Sequence, residues 1–80
     1  MSQINADLVI DCRGLLCPMP IVRLARGIKQ VRPGTRILVY TDDPAAKSDM
    51  EAWSQRTGNR IVGFWQNGKT MTFLVEKKIN

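Results

Sequence analysis

The chain has 80 residues, enough for one small hydrophobic core, and we expect a single domain over residues 1–80. Its hydrophobic content of 44% is ordinary for a globular chain, and no apolar stretch reaches membrane-spanning length, so we expect a cytoplasmic protein. Two cysteines are too few for a disulfide-dense scaffold, and the lack of histidine excludes Cys-His hydrolases and mixed Cys/His zinc sites. We therefore expect neither a metal nor a cofactor.

The net charge of +5 is concentrated in the first half of the chain. Residues 1–40 hold six lysines and arginines against two aspartates, whereas residues 41–80 hold six against five acidic residues. Such a basic field favours nucleic acid, a small anion or an acidic protein partner. Charge alone does not choose among these partners.

The first predicted elements are a short strand and an amphipathic helix. In "DLVIDC", residues 7–12, Leu8, Ile10 and Cys12 alternate with polar or outward positions, which is typical of a strand, and Arg13-Gly14 then begins a turn. A helix of about 14 residues follows. Its apolar face is formed by Ile21, Leu24, Ala25, Ile28 and Val31.

The second half of the chain predicts one strand, one helix and a hairpin. The run "RILVYT", residues 36–41, is typical of a buried strand. A helix follows, with Asp43 as its N-cap, Pro44 as its first residue and Gly58 as its C-terminal stop. The strands "RIVGFWQ" and "KTMTFLVEK" come next, joined by a tight turn at Asn67-Gly68.

These elements predict an α/β two-layer sandwich with the order βαβαββ. Each helix has one apolar face, so both helices are expected to cover the same face of a four-stranded mixed sheet. The other face of the sheet is then partly open. Trp65 is out of phase with Val62 and Phe64 and is expected on that open face, either packing at the edge or contacting a partner.

Cys17 is the candidate reactive residue. Because it precedes Pro18, its backbone is biased away from the helical region, and we expect it to be the N-cap of the first helix. Pro18 and Pro20 then occupy the first and third helical positions, and the amides of Met19 and Ile21 remain as nearby donors. The positive end of the helix dipole favours a thiolate at this position.

Basic residues around this helix are the candidate partner-binding groups. The turn at Gly14 brings Arg13 toward the helix start, where it and Arg23 would lower the thiol pKa modestly, from about 8.5 toward 7. Arg23 and Arg26 lie on the outer face of the helix. We expect Arg13, Arg23 and Arg26 to contact a partner protein. Cys12 shares a strand face with apolar residues and is expected only to pack.

The stretch "DCRGLLCPMPIVRLARGIKQVRPGTRILVYTDDPAAKSDMEAW", followed by "TGNRIV" and "FLVEKK", resembles the TusA/SirA family of small sulfur-carrier proteins. The Cys-Pro-x-Pro motif of that family is matched here by Cys17, Pro18, Met19 and Pro20. The resemblance implies that Cys17 carries sulfur as a persulfide. This chain has Gly58-Asn59 where the family commonly has Gly-His, and Glu51 where it often has proline.

The resemblance also implies protein partners in a cytosolic sulfur relay. A cysteine desulfurase or a rhodanese-like protein would load the thiol, and a DsrE/TusD-like protein would accept the sulfur. Such routes lead to tRNA thiolation, cofactor maturation or sulfur oxidation.

Two other functions are compatible with the residues alone. A small basic nucleic-acid-binding or regulatory module would interleave basic residues with exposed aromatic residues on the sheet. A redox protein would require Cys12 and Cys17 to lie close enough to bond, although their spacing is not that of a CxxC motif.

Overall fold

The structure, a computed structural model, describes residues 6–16 and 18–79. Within those residues the elements follow the predicted order of strand, helix, strand, helix, strand, strand. They are β1 (Leu8–Asp11), α1 (Met19–Ile28), β2 (Arg36–Thr41), α2 (Ala46–Thr57), β3 (Arg60–Asn67) and β4 (Thr70–Glu76). Cys17 falls outside the described residues, and the N-cap of α1 is Pro18 rather than Cys17 as predicted.

The four strands form one mixed sheet in the order β1-β2-β4-β3. β1 and β2 are parallel, and the other two neighbouring pairs are antiparallel. The parallel pair needs a crossover connection, which α1 supplies, whereas β3 and β4 are joined by a hairpin. The predicted α/β two-layer sandwich with two helices on one face of a mixed sheet is confirmed.

The hydrophobic core lies between the helices and one face of the sheet. Alternate residues of β2 and β4 point into it, because successive side chains of a strand point to opposite faces. Of the predicted apolar face of the first helix, Leu24 and Ile28 are buried there as well, whereas Ile21, Ala25 and Val31 are half-buried. The buried cluster consists of Cys12, Leu24, Ile28, Ile37, Val39, Ala46, Met50, Trp53, Met71, Phe73 and Val75.

Helix α1 is shorter than predicted and begins later. Pro18 is its N-cap, with φ −99° and ψ 17°, so Pro18 and Pro20 are not the first and third helical residues; Pro20 is the second. The helix has 10 residues rather than about 14. Val31 was predicted to continue the apolar face of the helix but lies beyond its end at Ile28.

Helix α2 also begins later than predicted, since its N-cap is Ala45 and its first residue is Ala46. Asp43 lies two residues before this N-cap and accepts hydrogen bonds from the backbone there. Its Oδ1 accepts a hydrogen bond from the Ala45 amide at 3.1 Å, and its carbonyl accepts one from the Ala46 amide at 2.9 Å. The helix ends as predicted at Gly58, whose φ of 83° is a left-handed conformation that glycine adopts without strain.

The hairpin turn lies one residue later than predicted. Asn67 pairs with Thr70, so the two loop residues are Gly68 and Lys69 rather than Asn67 and Gly68. Gly68 has φ 62°, and no described residue other than glycine has a positive φ. A glycine with positive φ followed by a residue with negative φ is the pattern of a type II′ turn, which suits the twist of a β-hairpin.

Neither described helix covers the second face of the sheet. Trp65 lies on this face, as predicted, with 45% of its surface exposed. A Cβ placed on Gly63 would lie only 2.5 Å from Cη2 of Trp65, so the indole ring covers that glycine. The ring therefore packs against its own strand.

Candidate functional site

The candidate site lies where the carboxyl ends of β1 and β2 meet. The two strands are parallel and in register, with Asp11 beside Tyr40, so both chains leave the sheet at the same edge. Each strand leads into a helix, and therefore the N-termini of α1 and α2 lie at this end. Helix N-termini carry partial positive charge and unpaired backbone N–H groups, which favour an anion nearby.

Two hydrogen bonds hold the connection between β1 and α1 against the end of β2. The Cys12 amide donates to the Tyr40 carbonyl at 2.7 Å, and the Gly14 amide donates to Oδ1 of Asp42 at 3.1 Å. Gly14 has φ 83°, a conformation that other residues rarely adopt. Gly14 therefore serves the turn, and Asp42 connects the two loops.

Arg13 is held by an acidic neighbour rather than directed at the helix start. Its Nη2 and Nε donate to the carboxylate of Asp11 at 2.7 and 2.9 Å, and its guanidinium lies 5.4 Å from the centroid of the Tyr40 ring. These hydrogen bonds from Arg13 lower the pKa of Asp11 from 3.8 to about 2, and the carboxylate in turn raises the pKa of Arg13. Asp11 and Tyr40 belong to the open face, so Arg13 lies on that side.

The residues that flank position 17 in sequence are exposed. Leu16 is 71% exposed and Met19 40%, although both are large apolar side chains, and Pro18 is also exposed. The Met19 amide donates to the Leu16 carbonyl at 2.9 Å, so it is not the unpaired donor that the sequence predicted. Ile21 remains in the first helical turn, where a backbone N–H has no intrahelical acceptor.

Cys12 has no exposed surface and belongs to the core cluster, as its strand face predicted. Burial raises the pKa of its thiol, and the positive charge of Arg23 only partly opposes this effect. A buried thiol with a raised pKa is a poor nucleophile at neutral pH. Cys12 is therefore built for packing.

Arg23 and Arg26 lie together on α1, and Arg23 is close enough to Asp11, the ion-pair partner of Arg13, for its charge to help lower the pKa of that carboxyl. Both are exposed, and they line a groove between α1 and β1 with Leu8, Ile10 and Gly27. Of the three arginines predicted to bind a partner, only Arg23 and Arg26 line this groove.

A model of the protein family described as sulfurtransferase TusA matches residues 8–77. The chain belongs to the TusA family. The predicted TusA/SirA resemblance is therefore confirmed, and the match includes both parallel strands, both helices and the hairpin.

Two relatives match this TusA-family chain over nearly their whole length, and one solved structure shares its fold. It is 34% identical over 73 residues to the putative sulfur carrier protein YrkI of Bacillus subtilis, covering 91% of this chain and 97% of that protein. It is 31% identical over 71 residues to the sulfur carrier protein TusA of Allochromatium vinosum, covering 89% and 93%. A crystal structure of a SirA-like protein from Desulfitobacterium hafniense has a TM-score of 0.76 at 15% identity, covering 89% of this chain and 97% of that one.

Two residues with a structural role in this TusA-family protein were not predicted from the sequence. One is Asp42, which accepts the Gly14 amide. The other is Asn59, which is buried and connects α2 to the C-terminal segment: its Oδ1 accepts the Lys78 amide at 2.8 Å and its Nδ2 donates to Thr57 Oγ1 at 3.1 Å. The local signal is a polar residue near the end of an element, since Asp42 directly follows β2 and Asn59 follows the Gly58 C-cap of α2, but the partner is distant in sequence.

The structure contains no cluster of candidate metal ligands among residues 6–16 and 18–79. In the same residues, neither helix has the length and apolar character needed to cross a membrane. On the open face, Arg36 and Arg60 share Glu76 at 3.5 and 3.7 Å, and Arg13 pairs with Asp11. These cations are already paired, which argues against this face as a nucleic-acid surface.

Proposed function

We propose that this TusA-family protein is a sulfur carrier that accepts sulfane sulfur on Cys17 as a persulfide and transfers it to an acceptor protein. Family membership carries the proposal, because relatives that match nearly the whole chain are named sulfur carrier proteins. The exposed residues Leu16, Pro18 and Met19 around position 17 support it, since a carrier thiol must be reached by two partners.

The chemistry needs only a thiolate at Cys17. The thiolate attacks the outer sulfur of a donor persulfide, forms a new S–S bond and releases the donor cysteine as a thiolate. An acceptor thiolate then attacks the same outer sulfur and releases Cys17 as a thiolate. The sulfur moves at its original oxidation level, so the transfer requires no external oxidant or reductant.

The start of α1 supplies the supporting groups in this proposal. Pro18 occupies the N-cap position, Pro20 has no N–H, and Met19 and Ile21 complete the first turn. Gly14 holds the preceding turn against Asp42. A thiolate at residue 17, which precedes the N-cap residue Pro18 in sequence, would benefit from the positive end of the helix dipole.

The proposed partners are a persulfide donor, such as a cysteine desulfurase or a rhodanese-like protein, and an acceptor of the DsrE/TusD type. The proposed location is the cytoplasm. Transfer to tRNA thiolation, cofactor maturation or sulfur oxidation depends on the acceptor. A mixed disulfide trapped at Cys17 would capture that acceptor for identification.

The proposal is tested by sulfur loading. Incubation with a cysteine desulfurase and cysteine should add about 32 Da to the wild-type chain, the mass of one sulfur, as measured by intact mass spectrometry. Cys17→Ser should abolish the addition, and Cys12→Ser is the matched control that should retain it, because Cys12 is buried. A Cys17→Ser chain that still gains sulfur would overturn the proposal, as would a wild-type chain that no persulfide donor loads.

A further inference from the structure

An apolar groove with a basic rim lies between α1 and β1. It has a volume of about 370 Å³ and is lined by Leu8, Ile10, Arg23, Arg26 and Gly27. β1 is at one end of the sheet order, so β2 pairs with one of its edges and no described strand pairs with the other. The groove therefore opens beside a free strand edge, which is a common place for an extended segment to add to a sheet.

The floor of the groove is apolar because it is formed by Leu8 and Ile10 of β1 and by Gly27 of α1. Gly27 brings the helix close to β1: a Cβ at this position would lie 2.9 Å from Cδ1 of Ile10 and 3.7 Å from Cδ2 of Leu8. Leu8 and Ile10 pack against the core but are only half-buried. Their exposed part is available to an apolar side chain from outside.

The rim of the groove carries two cations, Arg23 and Arg26, and the charge of Arg23 also reaches the Asp11 carboxylate. Arg23 and Arg26 are three residues apart on α1, which places them on the same side of the helix. Neither forms an ion pair with a described residue, in contrast to Arg13, Arg36 and Arg60. An occupant that complements this site has an apolar side chain for the floor and carboxylates for the rim.

We propose that the groove binds an extended acidic segment of a partner protein, in which apolar and acidic residues alternate and the backbone adds to the free edge of β1. A small amphiphilic carboxylate fits less well, because small-molecule sites bury most of their ligand and the groove has walls from only two elements. A second copy of the chain fits less well too, because each copy carries a net charge of +5. The partner's role in sulfur relay rests on the proposed function, whereas the binding itself does not involve Cys17.

Peptide titration followed by NMR tests the occupant. The probe is a short capped peptide of alternating glutamate and valine, added to the Cys17→Ser chain so that no thiol chemistry contributes. The largest amide shifts should occur in β1 and at Gly27. Peptides with glutamine in place of glutamate, or serine in place of valine, should bind about fivefold more weakly or worse.

A pair of charge variants tests the position of the site. Arg23→Gln with Arg26→Gln should weaken the glutamate-valine peptide about fivefold. Arg32→Gln with Arg56→Gln removes the same charge from exposed positions outside the groove and should change the affinity less than twofold. Equal weakening by the two pairs would show a general charge effect and overturn the inference.

Two further outcomes would also overturn it. Octanoate binding as tightly as the peptide would assign the groove to small carboxylates, and dimerisation that blocks the β1 shifts would assign it to a second copy. Sulfur loading separates this inference from the proposed function. If the chain with Arg23→Gln and Arg26→Gln binds the peptide like the wild type, and Cys17 is loaded with sulfur normally, only the groove assignment fails. If the wild type binds the peptide but cannot be loaded with sulfur, only the sulfur-carrier function fails.

Discussion

Asp11 fixes the position of the positive charge of Arg13, two residues later in the chain. The Asp11 carboxylate accepts three hydrogen bonds from Arg13, one from its amide and two from its guanidinium. The sequence predicted that Arg13 would add positive charge at the start of α1. It instead neutralises its neighbour on the open face, because a bidentate pair two residues apart forms with little loss of conformational freedom.

The pair predicts a specific pH dependence. The pKa of Asp11 is lowered in the folded chain, from 3.8 to about 2, so the stabilisation from the ionised carboxylate is complete above 3.8 and is lost as the pH falls through 2. Arg13→Gln should return the Asp11 pKa toward 3.8, as measured by carboxyl ¹³C NMR. Arg36→Gln, which loses a contact with Glu76 instead, should leave it unchanged. Wild-type Asp11 titrating near 3.8 would contradict the geometry.

At the scale of elements, the C-terminal end of α2 combines a local signal with a long-range contact. Gly58 reverses the chain, and its amide donates to the Ser54 carbonyl at 2.9 Å. Asn59 then fastens this end of the helix to Lys78, which follows β4. The element that ends the second helix therefore also positions the C-terminal segment.

Gly58→Ala should lower the free energy of unfolding by about 1 kcal/mol, because an L-residue in the left-handed region is strained. Urea denaturation measures this change. Gly58→Asn is the matched control and should cost less, since asparagine tolerates the left-handed region better than alanine does. An alanine variant as stable as the wild type would mean that the backbone relaxes and that the cap is not needed.

The elements that the sequence predicted correctly are those whose signals lie within a few neighbouring residues. β2 has the predicted bounds and α2 ends at the predicted glycine, because β-branched runs and C-terminal glycines act locally. The predicted start of α1 was wrong, since two prolines near a helix start are compatible with more than one position of the first helical residue. The roles of Asp42 and Asn59 depend on partners 28 and 19 residues away, and no local pattern contains them.

At the scale of the whole molecule, a two-layer fold leaves one face of its sheet uncovered. Leu38, Leu74 and Gly63 lie side by side across β2, β4 and β3 on that face. Leu38 and Leu74 are nonetheless only 6% exposed. The Trp65 ring over Gly63 borders this row, so one aromatic side chain supplies part of the cover that a second helical layer would otherwise give.

The cover predicts a coupling between Gly63 and Trp65. Gly63→Ala should destabilise the wild-type chain by about 1–2 kcal/mol, because its Cβ would lie 2.5 Å from the indole ring and the ring would have to move. In a Trp65→Ala background the ring is gone, and the same substitution should be neutral or stabilising by roughly 0.5–1 kcal/mol, since glycine weakens a strand. Urea denaturation of the two single variants and the double variant measures the coupling. Additive effects would show that the position of the indole ring does not depend on the missing side chain at residue 63.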